Sequence, residues 1–134
     1  MPDDKALRYN KYKARFDLLP PEALYALAEH YGKGAEKYSE RNWELGTDWN
    51  VPFASMMRHA IAWQAGEDHD IENGTHHMIS VAWNALAIYT YYMRELGADD
   101  RPICCETISA VQRESSPAAS HNPRSCEQEP SKQE

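Results

Sequence analysis

The chain has 134 residues, 26% of them charged, with a formal net charge of −7. That length holds one domain, and an acidic chain without a basic block argues against nucleic acid as its main partner. Its three cysteines form no CxxC pair, which speaks against a disulfide scaffold or a structural zinc site. No apolar run approaches a membrane span and no apolar core follows the N-terminus, so no membrane partner and a cytoplasmic location are expected.

Residues 1–19 are mixed and charged, with room for a short helix. Leu19-Pro20-Pro21-Glu22 then reads as a helix start, because Pro is tolerated in a first turn and an acid there favours the positive helix end. Leu24, Leu27, Ala28, Tyr31, Ala35 and Tyr38 follow in steps of three and four. Gly32 and Gly34 interrupt that stripe, which predicts either a break or a close approach of backbone or ligand. The preferred reading is a kinked helix running toward Trp43.

Residues 39–52 read as a loop, with Gly46, Asn50 and Pro52 as its markers. Trp43 and Trp49 lie in it, and two readings stay open: a lid over the core, or a surface on which a base stacks. A helix is expected over Phe53–Ala65, apolar on more than one stripe, and a longer one over Thr75–Leu96. In the latter, Met78, Ala82, Ala85, Tyr89, Tyr92 and Leu96 keep the helical rhythm, while His77, Ser80 and Asn84 form a separate polar line. A helix so apolar needs neighbours on most sides, and in a small domain some belong to another subunit. Residues 1–100 are therefore expected to form an all-α domain, and residues 101–134 a disordered tail poor in apolar side chains. Cys104–Val111 has room for one further turn.

Between those two helices, Gly66 to His77 holds four carboxylates and three of the six histidines. Like charges raise each other's pKa unless a cation relieves them, so the stretch reads as a divalent-metal site or as a solvated loop. If Glu67 and Asp70 stand on a helix, their spacing puts both carboxylates on one face. Glu36 and Glu40 share a face by the same argument, or are an ordinary solvated face. Four carboxylates suit Mg²⁺ or Mn²⁺, hard cations that also bind phosphate. Lys33, Lys37, Arg41 and Arg58 are cations able to neutralise phosphate charge. An antiparallel pair of helices brings Glu67 and Asp70 nearer Glu29 than Glu40, so Glu22 and Glu29 stay as alternatives, as does His77. A neighbouring subunit is another way to complete the set. His59 reads as a satisfied core histidine.

Six segments stand in a telling order: Asp17-Leu18-Leu19-Pro20-Pro21-Glu22-Ala23-Leu24, Gly34-Ala35-Glu36-Lys37-Tyr38, Asn42-Trp43-Glu44-Leu45-Gly46, Arg58-His59, Gly66-Glu67-Asp68-His69-Asp70 and Ala82-Trp83-Asn84-Ala85. In this order they resemble the phage dATP/dGTP diphosphohydrolase family, and within it the MazZ type. That family looks like a branch of the MazG-like all-α nucleotide pyrophosphohydrolases. The resemblance implies a helical bundle completed by oligomerisation, as a tetramer built from two dimers. It implies hydrolysis of a purine dNTP, dGTP before dATP or GTP, to the monophosphate and pyrophosphate in phage nucleotide metabolism. Two or three Mg²⁺ or Mn²⁺ ions would be held by Glu36, Glu40, Glu67 and Asp70, with Lys33, Lys37, Trp43, Arg58 and Asn84 on the substrate. Glu67 and Asp70 match the superfamily's ExxD pair. Glu36 and Glu40 are one residue too far apart for its ExxE pair, which leaves the other metal ligands open.

Two rival readings remain. His69-Asp70, with His30 and Asp99, would suit an HD-type phosphohydrolase that releases triphosphate. A helical oligomerisation or binding protein would show no metal-dependent turnover.

Overall fold

The computed structural model describes residues 7–9 and 11–102. The chain divides into units 1–101 and 102–134, and the first is the subject below. The expected tail from residue 103 on, with the turn expected over Cys104–Val111, lies outside the described residues.

Among the described residues three helices carry the fold: α1 (Pro21–Tyr38), α2 (Asn50–Gln64) and α3 (His77–Arg94), with short 3-10 turns at Phe16–Leu18 and Asn42–Leu45. The fold is all-α, as expected, and among the described residues the only β pairing is two isolated bridges.

α1 starts as its sequence predicts, with Pro20 as N-cap, Pro21 in the first turn and Glu22 beside it. It continues through Gly32 and Gly34. A Cβ at either would meet nothing within 4 Å, so neither glycine serves a close approach of another described residue. The helix also stops at Tyr38 and does not run on to Trp43. Ser39 (φ 102°) and Arg41 (φ 59°) turn the chain, and the 3-10 turn then brings the Trp43 carbonyl to α3, where the Tyr91 hydroxyl donates to it at 2.8 Å.

α2 begins at Asn50, earlier than the apolar pattern indicates. Its first N–H groups have no partner inside the helix, and the chain supplies one from far away. The Asn50 backbone N–H donates to Asp100 Oδ1 (2.8 Å), and its side-chain amide donates to the Asp100 carbonyl (2.7 Å). Trp49 completes the clamp: its backbone N–H donates to Ala98 O at 3.0 Å, and its indole N–H donates to Leu96 O at 2.9 Å. Residues 96–101 thus form a strap across the start of α2. Gly97 (φ 71°) lies against Thr47, and a Cβ there would fall 2.0 Å from the Thr47 carbonyl oxygen.

α3 packs on both α1 and α2, and is the shared partner of the fold. Its inward face is the line His77, Ser80, Asn84, Ala87 and Tyr91. The polar line of the sequence therefore faces the chain's interior, while Tyr89 and Tyr92 of the apolar rhythm are exposed. Both lines have helical spacing, so periodicity alone does not say which one meets α1 and α2. Two apolar stripes are left outside: Phe53, Met57 and Ile61 on α2, and Leu86, Tyr89 and Met93 on α3.

The strap sets a stability prediction. Gly97→Ala forces a left-handed Cβ into a backbone carbonyl and is expected to cost about 2 kcal/mol or more. Gly32→Ala, in an open helix interior, is expected to stabilise by about 1 kcal/mol. Urea denaturation of the two variants checks the opposite signs.

Candidate active site

The acidic stretch begins where α2 ends. Gln64 is the last helical residue, and Gly66 (φ 102°) turns the chain out of the helix. Glu67 and Asp70 are therefore on a loop, and the shared helix face expected from their spacing does not exist. The loop has its own order. The Asp70 N–H donates to Thr75 O (2.9 Å), and the His77 N–H donates to Asp68 O (2.9 Å). Asp70 makes a side-chain turn: Oδ1 accepts from the Glu72 N–H at 2.9 Å and Oδ2 from the Asn73 amide at 3.3 Å. This use of Asp to fold its own loop is common chemistry for the residue type. His76 then caps α3, its Nδ1 accepting from the Met78 N–H at 3.1 Å.

α1 is tied to that loop by two side chains. Lys33 Nζ donates to Asn73 O (3.0 Å) and to Thr75 Oγ1 (3.1 Å), and His30 Nδ1 lies 3.2 Å from the same hydroxyl. Burial, with Lys33 nearby, holds the His30 pKa below its ordinary value. Lys33 thus spends hydrogen bonds on holding the loop, in addition to any ligand.

A cavity of about 1120 Å³ opens between the second half of α1, the turn after it, α2 and α3. One wall is aromatic. Tyr31 and Trp43 have ring centroids 5.8 Å apart, Trp43 and Trp83 6.4 Å, and Trp43 and Tyr91 6.2 Å. Such edge and tilted contacts are favourable ring geometries. Burial raises the pKa of both Tyr31 and Tyr91, keeping their hydroxyls protonated. Ser55, His59 and Asn84 supply polar atoms, and Lys33, Lys37, Glu72 and Asn73 stand at the loop side. Asn84 is nearly buried, and its amide nitrogen donates to Ser80 O at 2.8 Å. Glu44, which accepts from Arg41 and Arg94, braces the turn after α1.

The expected site residues separate into groups. Lys33, Lys37, Glu40, Trp43 and Asn84 line the cavity. Glu36 is exposed on α1, Arg58 is exposed on α2, and Glu22 and Glu29 are exposed earlier on α1; none of these lines it. Glu40 lies beyond the end of α1, so it does not share a helix face with Glu36. Trp43 lines the cavity, whereas Trp49 is bound to the strap. His77 is buried, with its Nδ1 2.9 Å from His59 Nδ1 and its Nε2 3.5 Å from Glu67 Oε2. His59 is thus part of this polar cluster as well as of the cavity lining. Asp99 pairs with Arg101 at 2.6 Å in the strap, and His69 faces the His76 ring, so the HD-type set is not gathered.

The fit to a divalent cation can be tested on these donors. Both Asp70 oxygens accept hydrogen bonds within the loop, and Glu67 is largely exposed. Among the described residues no group of three or more His, Cys, Asp or Glu side chains is placed to hold a metal ion. The described residues of one chain therefore do not assemble the site. Sequence reasoning passed over His30, Tyr31, Ser55, Trp83 and Tyr91 as cavity residues. Tyr31 lay on a stripe that read as packing, His30 entered only the HD-type reading, Trp83 stood only in a family motif, and Ser55 and Tyr91 had no spacing signal of their own.

Three helices around an aromatic cavity with a basic and acidic mouth define a small all-α domain with room for a nucleotide-sized ligand. Residues 3–101 match the family described as dATP/dGTP diphosphohydrolase, N-terminal, and the chain belongs to that family. It is 26% identical over 95 residues to a protein of Salmonella phage PMBT28 called dATP/dGTP diphosphohydrolase. The match covers 71% of this chain and 32% of that relative, so the chain spans about a third of the relative's length. No solved structure matches the chain.

The pKa shifts carry a stability prediction. His30 and His59 are both held below the ordinary imidazole value, chiefly by burial. The unfolded chain therefore binds more protons as pH falls below about 6.5. Their contribution to stability is complete above that value and declines as pH falls toward the folded values. Thermal melts are expected to be flat near pH 7–8 by this contribution and to drop toward pH 5, with a smaller drop in His30→Gln.

Proposed function

We propose that the chain hydrolyses purine deoxynucleoside triphosphates between the α and β phosphates, giving the monophosphate and pyrophosphate. The observation that carries this reading is the cavity itself. An aromatic wall at Tyr31, Trp43, Trp83 and Tyr91 suits a purine, and Lys33 and Lys37 at the mouth suit a charged phosphate tail. The family membership and the phage relative's name point to dATP and dGTP. Within that pair we propose dGTP as the preferred substrate, dATP and GTP as further ones, and phage nucleotide metabolism in the host cytoplasm as the setting. No helix among the described residues is long and apolar enough to cross a membrane.

The reading includes a requirement for Mg²⁺ or Mn²⁺, two or three ions per site, with Glu67 and Asp70 contributing from this loop. A single chain leaves the set incomplete, so a second copy must supply further donors, and Glu36 and Glu40 are exposed to do so. The exposed stripes on α2 and α3 give that association an apolar driving force. A MazG-like tetramer built from two dimers is the assembly proposed. Nucleic acid and membrane have no part in it.

Two experiments test the reading. The full chain is incubated with each dNTP and Mg²⁺ or Mn²⁺, and products are resolved by chromatography. Release of dGMP or dAMP with pyrophosphate is expected, with a loss on the order of 10²-fold in Glu67→Gln or Asp70→Asn. Triphosphate as product, or no monophosphate with any metal, overturns it. Light scattering after gel filtration tests the assembly: the wild-type chain is expected as an oligomer, and Met57→Glu, which puts a charge in the α2 stripe, as a smaller species.

A further inference from the structure

Two imidazoles and a carboxylate stand in a row beneath the acidic loop. His59 is on α2, His77 opens α3, and Glu67 is between them in sequence. His59 Nδ1 and His77 Nδ1 are 2.9 Å apart, which is hydrogen-bond distance. The His77 side chain is 6% exposed, and its Nε2 is buried with no hydrogen-bond partner. The carboxylate oxygen Glu67 Oε2 lies 3.5 Å from that Nε2, just beyond a formed bond, and the Glu67 side chain is 68% exposed and free to swing.

A neutral imidazole carries one N–H and one lone pair. The short contact between the two Nδ1 atoms therefore allows two arrangements. In one, His77 donates from Nδ1 to His59, and a bare lone pair on His77 Nε2 is left buried against a carboxylate. In the other, His59 donates from Nδ1 to His77, and His77 carries its proton on Nε2, aimed at Glu67. The first places two acceptors face to face. The second satisfies both contacts, needing only a small rotation of Glu67. We infer that His77 is the positioning residue of Glu67, donating Nε2–H to its carboxylate, and that Glu67 thereby selects the His77 tautomer, with His59 donating from Nδ1 to complete it.

This assignment has a second consequence. With its proton on Nδ1, neutral His59 keeps a lone pair on Nε2, and His59 lines the cavity. A cavity-lining residue thus keeps an acceptor whose tautomer is set by a carboxylate two side chains away. An outer partner that orients a functional carboxylate is a known way to hold a site in register. No other described residue does this for Glu67. The role in turnover rests on the nucleotide-hydrolysis reading, whereas the protonation pattern does not.

The test is a two-bond ¹H–¹⁵N correlation spectrum of the full-length protein at about pH 8, above the imidazole range, without added divalent cation. His77 is expected as the Nε2–H tautomer and His59 as the Nδ1–H tautomer. Glu67→Ala, a change at an exposed side chain, is expected to shift the His77 nitrogens toward a mixture. A wild-type His77 in the Nδ1–H form, or nitrogen shifts unmoved in Glu67→Ala, overturns the assignment. Because this readout needs no substrate, it fails or succeeds apart from the hydrolysis reading. In turnover, His77→Gln, whose amide N–H can reach the Nε2 position, is expected to keep more kcat than His77→Asn, which should lose about 10–100-fold. Equal losses in the two variants overturn the positioning role.

Discussion

The structure depends on one choice made by α3: it turns its polar line inward. His77, Ser80 and Asn84 are buried where α1 and α2 meet it, with only Ala87 and Tyr91 continuing the line as apolar contacts. Buried polar atoms demand partners: the Asn84 amide finds Ser55 and the Ser80 carbonyl, and His77 Nδ1 finds His59, while His77 Nε2 and Ser80 Oγ are left without one. The reward for that demand is a cavity with specific polar atoms rather than a dry core. Its consequence is that the apolar stripes are left outside, where one chain of this size cannot use them.

The three-helix plan was legible before any coordinates. Pro20, Pro21 and Glu22 placed the start of α1, and the three-and-four rhythm placed all three helices. Boundaries failed where the deciding partner was remote in sequence. Asn50 starts α2 because Asp100 meets its N–H, and no window around residue 50 contains that information. Trp43 leaves α1 because Tyr91 holds its carbonyl. Gly32 and Gly34, read as a break or a close approach with a kinked helix preferred, sit inside α1, which runs through both, since two helix-weakening residues are tolerated when neighbouring turns hold.

The candidate site was half legible. Lys33, Lys37, Glu40, Trp43 and Asn84 do reach one cavity, from three different segments. Glu67 and Asp70 were found through a spacing argument whose helix is absent, and Asp70 instead builds the loop with Glu72 and Asn73. Spacing tells which residues share a face only once the element is known. The aromatic wall was hidden for the opposite reason: Tyr31 has a helical position that looks like packing, and it does pack, against Trp43 and Trp83 and around the cavity at once, while Tyr91 gave no spacing signal.

The strap of residues 96–101 has a meaning for the order of assembly. The first turn of α2 is capped by Asp100, about fifty residues downstream. A chain emerging from the ribosome can wind α2 early, but that turn stays open until all of α3 has been made and has folded back. Closing so long a loop carries an entropic cost that is met only when the strap reaches α2. The Trp49 indole, the Asn50 amide and the Gly97 backbone thus act as a latch on the whole domain, and the last described residues to be synthesised are the ones that shut it.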